Sequence, residues 1–210
     1  ELKDFPVMTK GDFIEHYEII FMAVFVILVI LLVLYIVHEN YRRDQELMKY
    51  AQTDALTGLY NKETTKLRTD EILSTDKDMI HAFLILDMDC FKQINDGYGH
   101  AVGDIVLQKF GQLLRDIFRE DDIVGRIGGD EFVVVMKNIK MKEMAIAKAE
   151  ELLTKTQQYE IKELNGSAIS ISIGIAMAPE DGECYMDLYK RADQALYQAK
   201  RSGKARVCGY

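Results

Sequence analysis

The chain is short of cysteine and of positive charge, and each shortage excludes a class of function. Its three cysteines, Cys90, Cys184 and Cys208, are odd in number, widely spaced and form no CxxC pair. That pattern supports neither a disulfide framework nor a zinc site. Reduced, buried thiols in the cytosol are the expectation. The 26 basic residues are outnumbered by 34 acidic ones, for a formal charge of −8. Binding to a nucleic-acid polymer needs clustered Lys and Arg, so no such partner is expected. Acidity does not exclude nucleotides, which a metal can bring to an acidic site. Repeats and low-complexity tracts are missing as well. The 210 residues allow one domain of ordinary size plus an appendage.

One block lacks charge, Gly and Pro altogether: residues 19–37, IIFMAVFVILVILLVLYIV. At ~1.5 Å per residue this run spans a hydrocarbon core of roughly 30 Å. A buried core helix would show a polar face, and this run shows none. A cleaved signal peptide fits poorly, because the preceding segment is acidic and no small-residue cleavage site follows. The expectation is a single transmembrane helix, with Tyr17, Tyr35 and Tyr41 in the interfacial belts. Arg42, Arg43 and Lys49 follow the span closely, whereas only Lys10 closely precedes it. The positive-inside bias therefore places the C-terminal part in the cytoplasm and residues 1–18 outside as a stub. The chain opens on Glu1 rather than Met, which suits a fragment of a longer membrane protein. Residues 38–53 read as a helical linker, and Leu47, Met48, Tyr50 and Ala51 are a candidate dimer seam. A solvated connector fits that segment equally well, because it is too short to test for heptads.

From Asp54 to Tyr210 the chain reads as one α/β (α+β) domain. Asn61 can cap a helix to about Leu73. Met79–Asp87 is a buried strand candidate, and Ala101–Phe118 has helical apolar spacing. The runs Asp122–Ile127 and Phe132–Met136 flank Gly128-Gly129 as a hairpin with a tight turn. A helix from about Met141 to Tyr159 follows. Ala168–Ala178 alternates Ile with Ser before Gly174, a period-two strand. Tyr185–Arg201 is a helix and Ala205–Cys208 a short last strand. The order β-α-β-β-α-β points to a ferredoxin-like core with extra helices.

Chemistry concentrates at Gly128-Gly129-Asp130-Glu131-Phe132. Glycine tolerates positive φ and lets a ligand approach the backbone. Upstream, Asp87 ends the first strand candidate, in LDMDCFKQIND. Where that strand pairs beside the hairpin, Asp87 approaches Asp130 and Glu131. Carboxylates converging from separate elements repel one another unless a cation sits among them. Oxygen ligands without His or Cys favour Mg²⁺ over zinc, with Mn²⁺ as the alternative. Mg²⁺ takes its remaining ligands from water and phosphate, so a nucleoside triphosphate is the natural substrate.

These strings resemble the GGDEF diguanylate cyclases, whose name-giving motif is residues 128–132. Further motifs of that family stand in order: DALTGLYN from Asp54, DMDCFKQIND from Asp87, YGHAVGD from Tyr98 and ADQALYQAKRSGK from Ala192. The resemblance covers about residues 50–208 and implies a palm-like nucleotidyl cyclase fold. It implies a homodimer in which each domain binds one GTP. The 3′-hydroxyl of each attacks the α-phosphorus of the other, giving cyclic di-GMP and two pyrophosphates. By the same match Asp87, the Met88 carbonyl, Asp130 and Glu131 form the metal set. Asp130 is also a candidate base, with metal activation of the hydroxyl as the alternative, and Lys92 stabilises phosphate charge. Asn95, His100, Asp104, Lys200 and Lys204 match substrate-contacting positions.

Asp104 is the guanine reader of this scheme, since one carboxylate accepts both N1–H and N2–H. Adenine presents an acceptor at N1 that a carboxylate repels. Arg119-Glu120-Asp121-Asp122 matches the family's RxxD product-inhibition site in its spacing from Gly128. Arginine suits such a site because its planar fork donates two parallel hydrogen bonds. Ala205 departs from the family, which often has Asn there. The different reading is a catalytically silent domain that acts as a receptor for cyclic di-GMP or GTP. It has no need of intact metal acids, which are intact here.

Overall fold

Near-continuous apolar runs along the central strands set the architecture, because both faces of the sheet are covered by helices. The computed structural model describes residues 10–159, 161–164 and 169–210, the side chains of 10–16, 19 and 44–51 excepted. A long helix, α1 (Lys10–Gln52), takes in both the apolar run and the polar stretch after it. Within it, Ile20–Arg43 is long and apolar enough to cross a membrane. The candidate seam of Leu47, Met48, Tyr50 and Ala51 falls on side chains outside the described residues. Residues through Lys49 and residues from Tyr50 onward form two separate compact units.

The second unit runs α2 (Lys62–Thr75), β1 (His81–Met88), α3 (Phe91–Tyr98), α4 (His100–Ile117), β2 (Ile123–Arg126), β3 (Glu131–Met136), α5 (Lys142–Gln158), β4 (Ile171–Ala178), α6 (Tyr185–Arg201) and β5 (Val207–Gly209). The sheet order is β2-β3-β1-β4-β5. β1 lies antiparallel to both β3 and β4, β2 is antiparallel to β3, and β5 is parallel to β4. The first four strands in that order make the expected ferredoxin-like core. β5 is added at its edge.

Leu84 and Leu86 of β1 face Phe110 and Leu114 of α4 and Leu152 of α5. Phe83 and Ile85 face Leu73 of α2 and Leu188 and Leu196 of α6. A strand buried on both faces reads as an unbroken apolar run, which is why β1 is recognisable in the sequence. At Gly174 of β4 the backbone of α6 comes so close that a Cβ would overlap Ala192 O and Leu196 N.

Several expectations are corrected. α3 is a separate helix, divided from α4 at Gly99, whose φ is +86°. β1 begins at His81, leaving Met79 and Ile80 exposed. β4 begins at Ile171, and Ala168 lies outside the described residues. β5 begins at Val207, because Ala205 has φ +48° and cannot continue a strand. Cys90 and Cys184 are free but exposed, not buried, since each sits at the N-cap of a helix. Asn61 caps α2 as expected, accepting from Thr64 N at 3.0 Å.

Candidate active site

The β1–β3 register pairs Asp87 with Glu131 directly. Paired residues of neighbouring strands place their side chains on one face. One residue further, the Met88 amide donates to the Asp130 carbonyl at 3.2 Å, which fastens the hairpin tip to the end of β1. Asp87 is buried, whereas Asp130 and Glu131 are half-buried. From the last turn of α6, Lys200 Nζ reaches Asp87 Oδ2 at 2.7 Å.

The electrostatics follow from this crowding. Burial pushes the Asp87 carboxyl above its usual range, Lys200 pulls it back, and the charges of Asp130 and Asp89 push it up again. Glu131 is likewise raised, first by burial and then by Asp87 and Asp130. Three acids therefore share one place with a single paired lysine. Hard oxygen donors with surplus negative charge fit a divalent cation that brings phosphate with it. Among the described residues, no three carboxylate, imidazole or thiolate groups form a closed metal cage by themselves.

The hairpin tip differs from the expected tight turn. Arg126 is the last residue of β2 and Glu131 the first of β3, so residues 127–130 form the loop, closed by Ile127 N donating to Glu131 O at 3.0 Å. A loop of this length needs no primed turn, and neither Gly128 nor Gly129 has positive φ. At Gly128 a Cβ would lie 2.8 Å from Glu131 Oε2 and 3.3 Å from its Cβ, so a side chain there would press on Glu131. Gly129 has nothing within 4 Å of such a Cβ, so its backbone is open to a ligand.

Arg126 holds the tip from behind. Its Nε and Nη2 donate to the Gly129 carbonyl at 3.2 and 2.8 Å, and its Nη1 donates to Asp54 Oδ1 at 3.1 Å. Burial alone would raise the Asp54 carboxyl, but hydrogen bonds from Thr57 and Arg126 hold it below its ordinary value. Sequence reading missed Arg126. Its one signal was a basic residue two positions before the glycines.

The remaining candidates ring the acids or stand apart from them. Lys92 is exposed on the first turn of α3. Asn95 sits on the same helix against α4, where a Cβ on Gly103 would overlap its Oδ1. His100 and Asp104 are exposed in the first turns of α4. Lys204 follows the end of α6, with Nζ 3.3 Å from Cys90 Sγ.

Arg119 and Asp122 lie past the other end of α4, an 18-residue helix that is roughly 27 Å long. They line an open cavity of about 400 Å³ with Gly58, Tyr60 and Arg115. Asp122 is buried and accepts from the amides of Arg119 and Lys137, each at 3.0 Å. Among the described residues the Arg119 guanidinium has no ion-pair partner, so no helix-end salt bridge occupies it.

Residues 51–206 match the model of the diguanylate cyclase GGDEF domain. The chain belongs to the GGDEF domain family. Diguanylate cyclase DgcS of Shewanella oneidensis is 37% identical over 168 residues, covering 79% of this chain and 55% of that protein. The GGDEF domain of YfiN (TpbB) from Pseudomonas aeruginosa superimposes with a TM-score of 0.70 at 35% identity, covering 75% of this chain and 93% of that one. The GGDEF domain of DgcB from Caulobacter crescentus, solved in complex with c-di-GMP, gives 0.70 at 26% identity, covering 76% and 95%. The chain spans about a quarter to about half of the length of the curated relatives it matches.

Raised acid pKa values make the metal-free GGDEF domain self-destabilising. A carboxyl whose folded pKa exceeds its unfolded value binds more protons when folded, so stability falls as pH rises through that window and stays reduced above it. Glu131→Gln, which removes the charge and keeps the shape, is therefore expected to raise the Tm at neutral pH without added metal, by ~2 °C. The gain should vanish at pH 4. A melting series across pH, in chelator, checks both points.

Proposed function

We propose that the chain is a membrane-anchored diguanylate cyclase that condenses two GTP into cyclic di-GMP and two pyrophosphates. The meeting of Asp87 with Asp130 and Glu131, beside Lys200, carries this reading. In it Asp87, the Met88 carbonyl, Asp130 and Glu131 hold Mg²⁺ or Mn²⁺. The bound ion would neutralise phosphate charge and acidify the attacking 3′-hydroxyl. Lys92, Lys200 and Lys204 attract the phosphates. Asp104 accepts both N–H groups of the guanine edge, with Asn95 and His100 alongside. Arg126 and Asp54 keep the Gly129 backbone in place, so the nucleotide meets a preorganised tip.

Each domain holds one half of the reaction, so turnover requires a homodimer with the two sites facing. Residues 19–37 cross the cytoplasmic membrane, 38–53 form the linker, and 54–210 work on the cytoplasmic side. The test is incubation of the full chain, in detergent or lipid discs, with GTP and Mg²⁺ over a range of protein concentrations. Cyclic di-GMP should form with a rate per protomer that rises with concentration. Failure at every concentration, with GTP still bound, would leave the receptor reading standing.

Arg119 and Asp122 would form the inhibitory site, because a free guanidinium beside an open cavity suits a phosphate or a guanine edge. Arg119→Ala is expected to raise the cyclic di-GMP concentration needed for half-inhibition by at least about tenfold, the loss of one charge-assisted bidentate contact. Uninhibited turnover should be unchanged. An unaltered inhibition curve would remove the regulatory site.

A further inference from the structure

We infer that Asp89 is a positioning residue: it clamps the left-handed turn Gly203–Ala205 against the end of β4, and so sets Lys204 at the mouth of the acidic site. Asp89 stands two residues past Asp87 and is 9% exposed. Its Oδ2 accepts from Ser170 Oγ at 2.7 Å and from the Ala205 amide at 3.1 Å. Its Oδ1 accepts from Ser172 Oγ at 2.8 Å. The Asp89 amide in turn donates to Ser170 O at 2.8 Å. Among the described residues no Lys or Arg pairs with this carboxylate. Its lone pairs face two hydroxyls and one amide, which is the arrangement of a clamp rather than of a metal ligand.

What it clamps is strained. Gly203, Lys204 and Ala205 have φ of +112°, +61° and +48° in succession. A left-handed residue other than glycine brings its Cβ too close to the following carbonyl oxygen, and here two such residues stand together. Such a conformation persists only where the surroundings over-determine it. Lys204 N donates to Ala199 O at 3.1 Å on one side, and Ile173 N donates to Arg206 O at 2.9 Å on the other. Between those two anchors, the Asp89 bond to the Ala205 amide holds the turn's centre. Cys90, next after Asp89, is also left-handed at φ +60°, and its Sγ meets Lys204 Nζ. The two strained segments thus face each other, with the lysine bridging them over the end of β1.

The inference rests on the reading that this site takes GTP, whose phosphates Lys204 would meet. Asp89 acts through Lys204, so the two should not be independent. GTP affinity is measured by calorimetry with Mg²⁺ for the full chain in detergent and for Asp89→Asn, Lys204→Ala and their double variant. Each single change is expected to weaken GTP binding by about tenfold, the worth of one charge-assisted contact. The double variant should bind no more weakly than the poorer single one. Additive losses, or an Asp89→Asn protein with parental affinity, overturn the inference. Where Asp89→Asn fails to fold, Ser172→Ala takes its place, with a loss of about threefold and the same lack of additivity against Lys204→Ala. A parent that binds GTP but forms no cyclic di-GMP refutes the cyclase reading alone, since the affinities still decide the role of Asp89. A parent that binds no GTP overturns both.

Discussion

Asp130→Ala is expected to lower cyclic di-GMP formation by on the order of 10³ or more, a loss of several kcal/mol of transition-state stabilisation. The melting temperature should stay close to that of the parent. The two halves of this expectation have separate causes. The fold uses the backbone of Asp130, whose carbonyl accepts from the Met88 amide, and alanine keeps that bond. Chemistry uses the side chain, which is half-buried at the hairpin tip and close enough to raise both Asp87 and Glu131. Its removal takes one hard oxygen ligand from a proposed site in which phosphate and water supply much of the coordination. Product is quantified by chromatography after incubation with GTP and Mg²⁺, and folding by circular dichroism. A fully active variant would refute the site assignment. An unfolded one would show that the side chain supports the tip.

Gly174→Ala should act in the opposite way, through stability. β4 and α6 approach there backbone to backbone, so that an added Cβ would sit 2.9 Å from Leu196 Cα and overlap two main-chain atoms besides. Main-chain atoms of a packed helix cannot rotate aside as a flexible side chain does. Overpacking of this kind costs about 3 kcal/mol or more, a large part of the ~5–15 kcal/mol that holds a domain together. The corresponding fall in Tm is roughly 6–12 °C for a domain of this size. Gly129→Ala is the control, because open space surrounds that position and its φ is not positive. Thermal melts of both variants test the contrast. Equal melting temperatures would mean that β4 and α6 are less tightly joined than described.

Much of the fold was legible because it repeats with a period. β1 stands out as an apolar run, β4 through its period-two alternation of Ile with Ser, α4 through its helical spacing and α2 through the cap at Asn61. The approach of Asp87 to the hairpin acids followed from placing β1 beside the hairpin, and the register sets Asp87 opposite Glu131. Features made by distant partners left no such trace. Arg126 meets Asp54 across 72 positions, and Asp89 meets Ser172 across 83. No local pattern encodes either contact. The break between α3 and α4 was hidden because YGHAVGD drew attention as a motif and not as a boundary. The glycine pair misled for a related reason. Its usual meaning is positive φ, whereas here neither glycine has it, Gly128 lies against the Glu131 side chain and Gly129 stays bare. Exposed Cys90 and Cys184 show that small apolar residues at helix caps follow the cap and not their hydrophobicity.

The borders of the sheet bear on how such a protein survives crowding against its own kind. β5 is three residues long, and β2 is four. The outer side of β2 is also taken, since Tyr60 N donates to Val124 O at 3.1 Å and Arg126 N to Tyr60 O at 2.8 Å. Long unpaired strand borders invite a neighbour to add on and start open-ended aggregation. A chain whose proposed activity requires repeated collisions between identical copies on a membrane surface offers no such border among its described residues. Encounters between copies are left to side chains, which can part again, and not to main-chain ladders, which grow.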